Sequence, residues 1–178
     1  MKKIFTTTIL SAMIFMLNFG TAKAVERVQV CDFGLYTMIN KLAESGLTLT
    51  PFIVDGTSWV TPPDNDGLSE YFYRFNDAIL VIDFGVNGDG YVSDILIFSS
   101  SDNTNIEDYG KVIYHICKVL GMNDDMAEYM FHYRRATTSS GNPPGVEINN
   151  RAIILYEESV NNSPIGDLLT TFYAVSLK

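Results

Sequence analysis

The sequence predicts an α+β fold made of two helix-plus-antiparallel-meander repeats, forming one sheet with helices on one face. Two blocks carry that expectation. AILVIDFGVNGDGYVSDILIF at residues 78–98 and AIILYEESVNNSPIGDLLTTF at residues 152–172 each read as a β-hairpin: an apolar run, a loop of Asn, Gly, Asp, Ser and Pro, then a second apolar run. One offset of 74 residues places Asn76, Asp77, Ala78, Ile79 and Leu80 on Asn150, Arg151, Ala152, Ile153 and Ile154, and it also places Ile39 and Leu42 on Ile113 and Ile116. Agreement of a helix and a hairpin at one spacing points to an internal repeat.

Residues 1–24 come first in the chain. Lys2 and Lys3 precede an apolar core at residues 9–19, and Ala22 and Ala24 place small residues at minus three and minus one. This is the pattern of a secretory signal peptide cleaved after Ala24, and its apolar run is shorter than the roughly 20 residues of a spanning helix. Later stretches are too short or too polar to cross a bilayer as a helix, so the expectation is an exported protein, periplasmic or extracellular, without a membrane span in the mature chain. Residues 25–178 are then a single α+β domain whose repeats fall near 31–100 and 104–178. The formal charge of −9 becomes −12 when Lys2, Lys3 and Lys23 leave with the leader. Nucleic acid and anionic lipid reward basic surfaces and are poor partners. The acidity reads as keeping an exported protein soluble, in preference to an acidic surface built for a basic partner, and another protein is the partner left open. Cys31 and Cys117 are the two cysteines; an oxidising compartment permits a disulfide between them, and two separate buried thiols are the alternative.

Within residues 31–45, Leu35, Met38, Ile39 and Leu42 recur at helical spacing, with Asp32 as a plausible N-cap and Gly46 as a stop. LTLTPFIV at residues 47–54 reads as a strand, placed at an edge because Pro51 cannot donate a ladder hydrogen bond. Residues 55–70 are dense in Gly, Pro, Asn and Asp and read as a long surface loop holding the only tryptophan, Trp59. Trp59 either presents a binding anchor or folds back over the core edge. A strand resumes at residues 71–75 with Tyr71, Tyr73 and Phe75 on one face, and Asn76-Asp77 fits a two-residue turn into the first hairpin.

Thr104 with Glu107 forms a capping box for a second helix that buries Tyr109, Val112, Ile113, Ile116 and Leu120 beside Cys117 and stops at Gly121. Residues 122–135 fit a helix from Asn123 through Met126, Tyr129, Met130 and Tyr133, although Tyr129, Phe131 and Tyr133 also alternate as in a strand; the helix is preferred. Residues 136–145 read as a loop, and residues 146–148, the Asn149-Asn150 turn and residues 152–160 and 168–177 make the second meander.

The paired helix and hairpin blocks resemble the tandem-repeat architecture of the β-lactamase inhibitor protein family. The resemblance implies a concave sheet that clasps another protein. It is one of layout: that family is expected to staple each repeat with its own disulfide, whereas Cys31 and Cys117 fall in different halves, so inhibition does not carry over residue by residue.

Residue chemistry calls for no catalytic set, metal or cofactor. His115 lies on the polar face of the second helix, diverging from inward-facing Cys117, and His132 reads as a surface residue. Asn87-Gly88-Asp89-Gly90 departs from the calcium-loop pattern, since the sixth position is Val92, and Asp64-Asn65-Asp66-Gly67 reads as a turn. Glu157 and Glu158, adjacent on a strand, point to opposite faces. The expected function is therefore a non-enzymatic protein-binding module, with Trp59, Tyr133, Tyr71 and Tyr73 as candidate contacts. The alternative is a small exported enzyme whose site assembles only in the fold, gathering two or more of Asp83, Asp94, Glu157 and Asp167 in a pocket with a basic residue. A structural envelope component, which would self-associate, is a third reading.

Overall fold

Helix α1 spans Leu35–Glu44 and buries Met38 and Leu42, the centre of the predicted stripe. Its start differs from expectation. Gly34 is the N-cap and has no side chain to offer; Asp32 instead pairs with Arg151, whose guanidinium also donates to the Gln29 carbonyl. A charge-assisted bond to a guanidinium outcompetes a neutral cap for the same carboxylate. At the other end Gly46, at φ 104°, lets the Leu47 N–H reach the Leu42 carbonyl at 2.8 Å and so satisfies an orphan acceptor. Helix α2, Ile106–Val119, ends likewise, with Gly121 at φ 97° and the Met122 N–H on the Cys117 carbonyl. Tyr109, Val112, Ile113, Ile116, Cys117 and Leu120 are all buried, as their spacing predicts.

Residues 124–133 form a helix, α3, Asp124–Tyr133, whose first turn is capped by Asn123 Oδ1 accepting the Met126 N–H. The buried stripe is Ala127 and Met130, with Phe131 packed against the core, while Met126, Tyr129 and Tyr133 are exposed. The predicted face is thus rotated. Phe131 turns towards Gly110 and Tyr109 on α2, and that contact selects which side of α3 is covered.

The computed structural model describes residues 27–75, 80–100, 106–133, 145–160 and 167–177. Among these, strands β1 (Arg27–Val28), β2 (Leu49–Pro51), β5 (Ser69–Phe75), β6 (Leu80–Val86), β7 (Val92–Ser100), β8 (Gly145–Ile148), β9 (Arg151–Val160) and β10 (Asp167–Ser176) form one antiparallel sheet. Its order is β2-β5-β6-β7-β10-β9-β8, and β1 adds to β10 beyond the end of β7. Pro51 ends an edge strand, as expected. Asn149 and Asn150, at φ 51° and 64°, make the tight turn between β8 and β9. Leader residues 1–24, the turn at Asn76-Asp77, Thr104 of the capping box and loop residues 136–144 lie outside the described residues.

Residues 55–70 are not wholly loop. A second, two-stranded sheet pairs β3 (Ile53–Val54) with β4 (Thr57–Ser58), and Ser69 and Glu70 already belong to β5. This small hairpin interrupts the edge of the main sheet: β2 pairs with residues 73–75 of β5, and after the hairpin Trp59, Val60 and Thr61 resume pairing with Phe72, Tyr71 and Glu70.

Alternation along the strands gives the sheet two distinct faces. On the helix side Leu80, Ile82, Phe84, Ile95, Ile97, Ile153, Leu155, Phe172 and Ala174 meet Met38, Leu42, Ile113, Ile116 and Met130 in the main core. A polar tie crosses this core, in which the Tyr109 hydroxyl bridges buried Glu157 on β9 and Thr170 on β10. Cys31 and Cys117 also lie in this core and are held as separate thiols, the alternative to a bridge. Cys31 Sγ donates to the Phe33 carbonyl, and burial pushes the two thiols up to about 11 and about 12 respectively.

Candidate functional site

The opposite, outer face of the sheet carries the unusual chemistry. Register defines three rows across it. One runs Glu70, Gly85, Asp94, Tyr173, Ile154; the next Phe72, Asp83, Leu96, Thr171, Tyr156; the third Arg74, Val81, Phe98, Leu169. At one end Phe52 and Trp59, which flank the β3–β4 hairpin, fold over Phe72, Val81 and Phe98 to make a small second core. Trp59 stacks on Phe72 with ring centroids 4.5 Å apart. At the other end Tyr156 and Tyr173 meet edge to face at 6.1 Å, and they and Ile154 are half-exposed.

Between these ends lies Asp83. It is 1% exposed, and among the described residues neither carboxylate oxygen has a hydrogen-bond partner. Burial, then the neighbouring Glu70 and Asp94 carboxylates, hold its carboxyl well above the usual range; the Tyr71 backbone amide, which does not meet hydrogen-bond geometry with either oxygen, opposes the shift and is outweighed. Glu70 is raised as well, by burial first and by Asp64, while its bond with the Thr61 hydroxyl at 3.3 Å works the other way. Asp94 takes the outer face by the ordinary alternation of β7, next to core-facing Ile95, and a bulge follows it towards the start of the strand. Gly85 opposes Asp94 and Val86 opposes Val92, so Ser93 is an extra residue on β7 and Val92 stays in the main core. A Cβ at Gly85 would meet the Asp94 carboxylate where it now lies, so any side chain there would have to displace that carboxylate.

The four predicted contact residues do not share one surface. Trp59 belongs to the second core on the outer face; Tyr71 and Tyr73 alternate with Phe72 and so face the helices, Tyr73 lying edge-on to Phe84 at 5.7 Å. Tyr133 is exposed at the end of α3. Of the acids proposed for an assembled site, Asp83 and Asp94 come together but Glu157 lies on the helix face, and the Asp167 side chain is outside the described residues. His115 Nδ1 meets the Ser45 hydroxyl at 3.1 Å, tying the end of α1 to α2, and His132 lies edge-on to Tyr133.

Both Asn/Asp-Gly loops use their side-chain oxygens on their own backbone. Asn87 Oδ1 accepts the Asp89 and Tyr91 N–H groups, and Asp64 Oδ1 those of Asp66 and Leu68. Glu70 joins Asp83 and Asp94 only through strand register, which pattern reading along one strand does not reveal. No family model, curated protein or solved structure matches the chain.

Proposed function

We propose that the chain is an exported, non-enzymatic protein-binding module that receives a basic surface of its partner on the outer face of the sheet. The acidity of that face carries the reading: among the residues whose side chains are described, the acids Glu70, Asp83, Asp94 and Glu147 stand there with Arg74. Half-exposed Tyr156, Tyr173 and Ile154 lie beside them, and aromatic groups next to charge of one sign are the makings of a steered, specific interface. The signal-peptide pattern at residues 1–24 supports export. The pairing of β7 with β10, the last strand of each meander, supports two duplicated halves joined edge to edge, the inhibitor-like layout.

A photo-crosslinking amino acid at Tyr156 of the full chain tests this, with Tyr36 on α1, 81% exposed, as the control position. The expected result is one protein captured from position 156, absent from position 36 and lost on Ile154→Arg. Equal capture from both positions, or none from 156, overturns the reading.

A further inference from the structure

The position of Asp83 asks for a cationic guest. A carboxyl group buried without hydrogen bonds costs free energy in either protonation state, and two further carboxylates beside it add to the cost of ionisation. An incoming positive group removes both penalties. Gly85, without a side chain, leaves backbone as the floor of a notch, with Glu70 on one neighbouring strand, Asp94 on the other and Asp83 two residues along β6. The Asp94 carboxylate lies over this notch and is the half-buried acid that an incoming group meets before Asp83.

We infer that this notch binds a lysine or arginine side chain of the partner protein, with Asp83, Asp94 and Glu70 as its carboxylate acceptors. The inference rests on the proposed function and names the chemistry of the partner at that same face. A metal ion fits less well. Hard cations need oxygens converging at about 2.0–2.6 Å, and among the described residues no three His, Cys, Asp or Glu side chains converge to hold one. A guanidinium or ammonium reaches acceptors spread over a wider span.

Backbone amide NMR of the full chain at pH 7 provides the test, following Gly85, Asp94 and Leu96 during titration with blocked Gly-Arg-Gly, Gly-Lys-Gly and Gly-Gln-Gly peptides, and separately with calcium chloride. Saturable shifts are expected with the basic peptides and not with the glutamine peptide or calcium. Asp83→Asn should weaken binding about tenfold or more, and Asp94→Asn, on the strand beside it, should do the same should the first variant fold poorly. Shifts caused by calcium alone, by none of the ligands, or undiminished in both variants overturn the inference. If the partner captured from position 156 is still captured by Asp83→Asn while the peptides give no shift, the notch assignment fails and the protein-binding reading stands. Loss of capture from wild-type position 156 is failure of that reading itself.

Discussion

Asp83 makes the stability of this protein depend on pH in a direction that can be worked out. Its folded-state pKa lies above its unfolded value, so between the two the folded chain holds more protons than the unfolded one. Stability from this residue is therefore fully present below the ordinary carboxylate range and is lost as pH rises through the raised folded value. Asp83→Asn should be more stable than wild type by about 1–3 kcal/mol at pH 8, and the two denaturation curves should converge towards pH 4. Wild-type stability that rises with pH relative to the variant would contradict the assignment. Tyr109 is the opposite case, a buried polar group with its partners in place. Tyr109→Phe removes the hydroxyl shared by Glu157 and Thr170 and should cost about 1–3 kcal/mol, read from the urea midpoint. A double-mutant cycle with Thr170→Val separates the tie from simple packing loss.

Among the elements, the β3–β4 hairpin has an effect out of proportion to its length. By interrupting the edge of the sheet it folds Phe52 and Trp59 over Phe72, Val81 and Phe98, which would otherwise present an apolar end of the outer face to water. Trp59→Ala should lower stability by about 2 kcal/mol in thermal or urea unfolding and raise binding of a hydrophobic dye. An unchanged melting curve would mean that the stack on Phe72 contributes nothing. Helices α1 and α2 bury the stripes that their periodicity marks, and Gly46 and Gly121 stop them for the reason visible in sequence, a positive φ that other residues resist. Helix α3 shows where periodicity stops informing. With apolar groups on several sides, its buried stripe was decided by the docking of Phe131 on α2, and Met126, Tyr129 and Tyr133 were left in water.

At the scale of the molecule, one core lies between the helices and the sheet and holds both thiols, so their reactivity reports on the whole fold. With pKa values pushed up to about 11 and about 12 by burial, Cys31 and Cys117 should resist iodoacetamide at pH 8 in the native protein, and both should be labelled once it is unfolded in guanidinium. Labelling of either in the native state would show that the core opens locally at that site. The sequence by itself determined the fold class, the helix α1 and α2 stripes, the edge position of Pro51 and the turn at Asn149-Asn150, because each depends on residues within a few positions of one another. Only the tertiary structure decided what is brought together from afar: Asp32 with Arg151, Trp59 with Phe72, the pairing of β7 with β10, and Asp83 between Glu70 and Asp94. Alternation along β6 tells which side of the strand Asp83 takes, but not which strands flank it or what lies over it. That information resides in the order of strands across the sheet, and the order follows from which apolar faces the whole chain can cover at once.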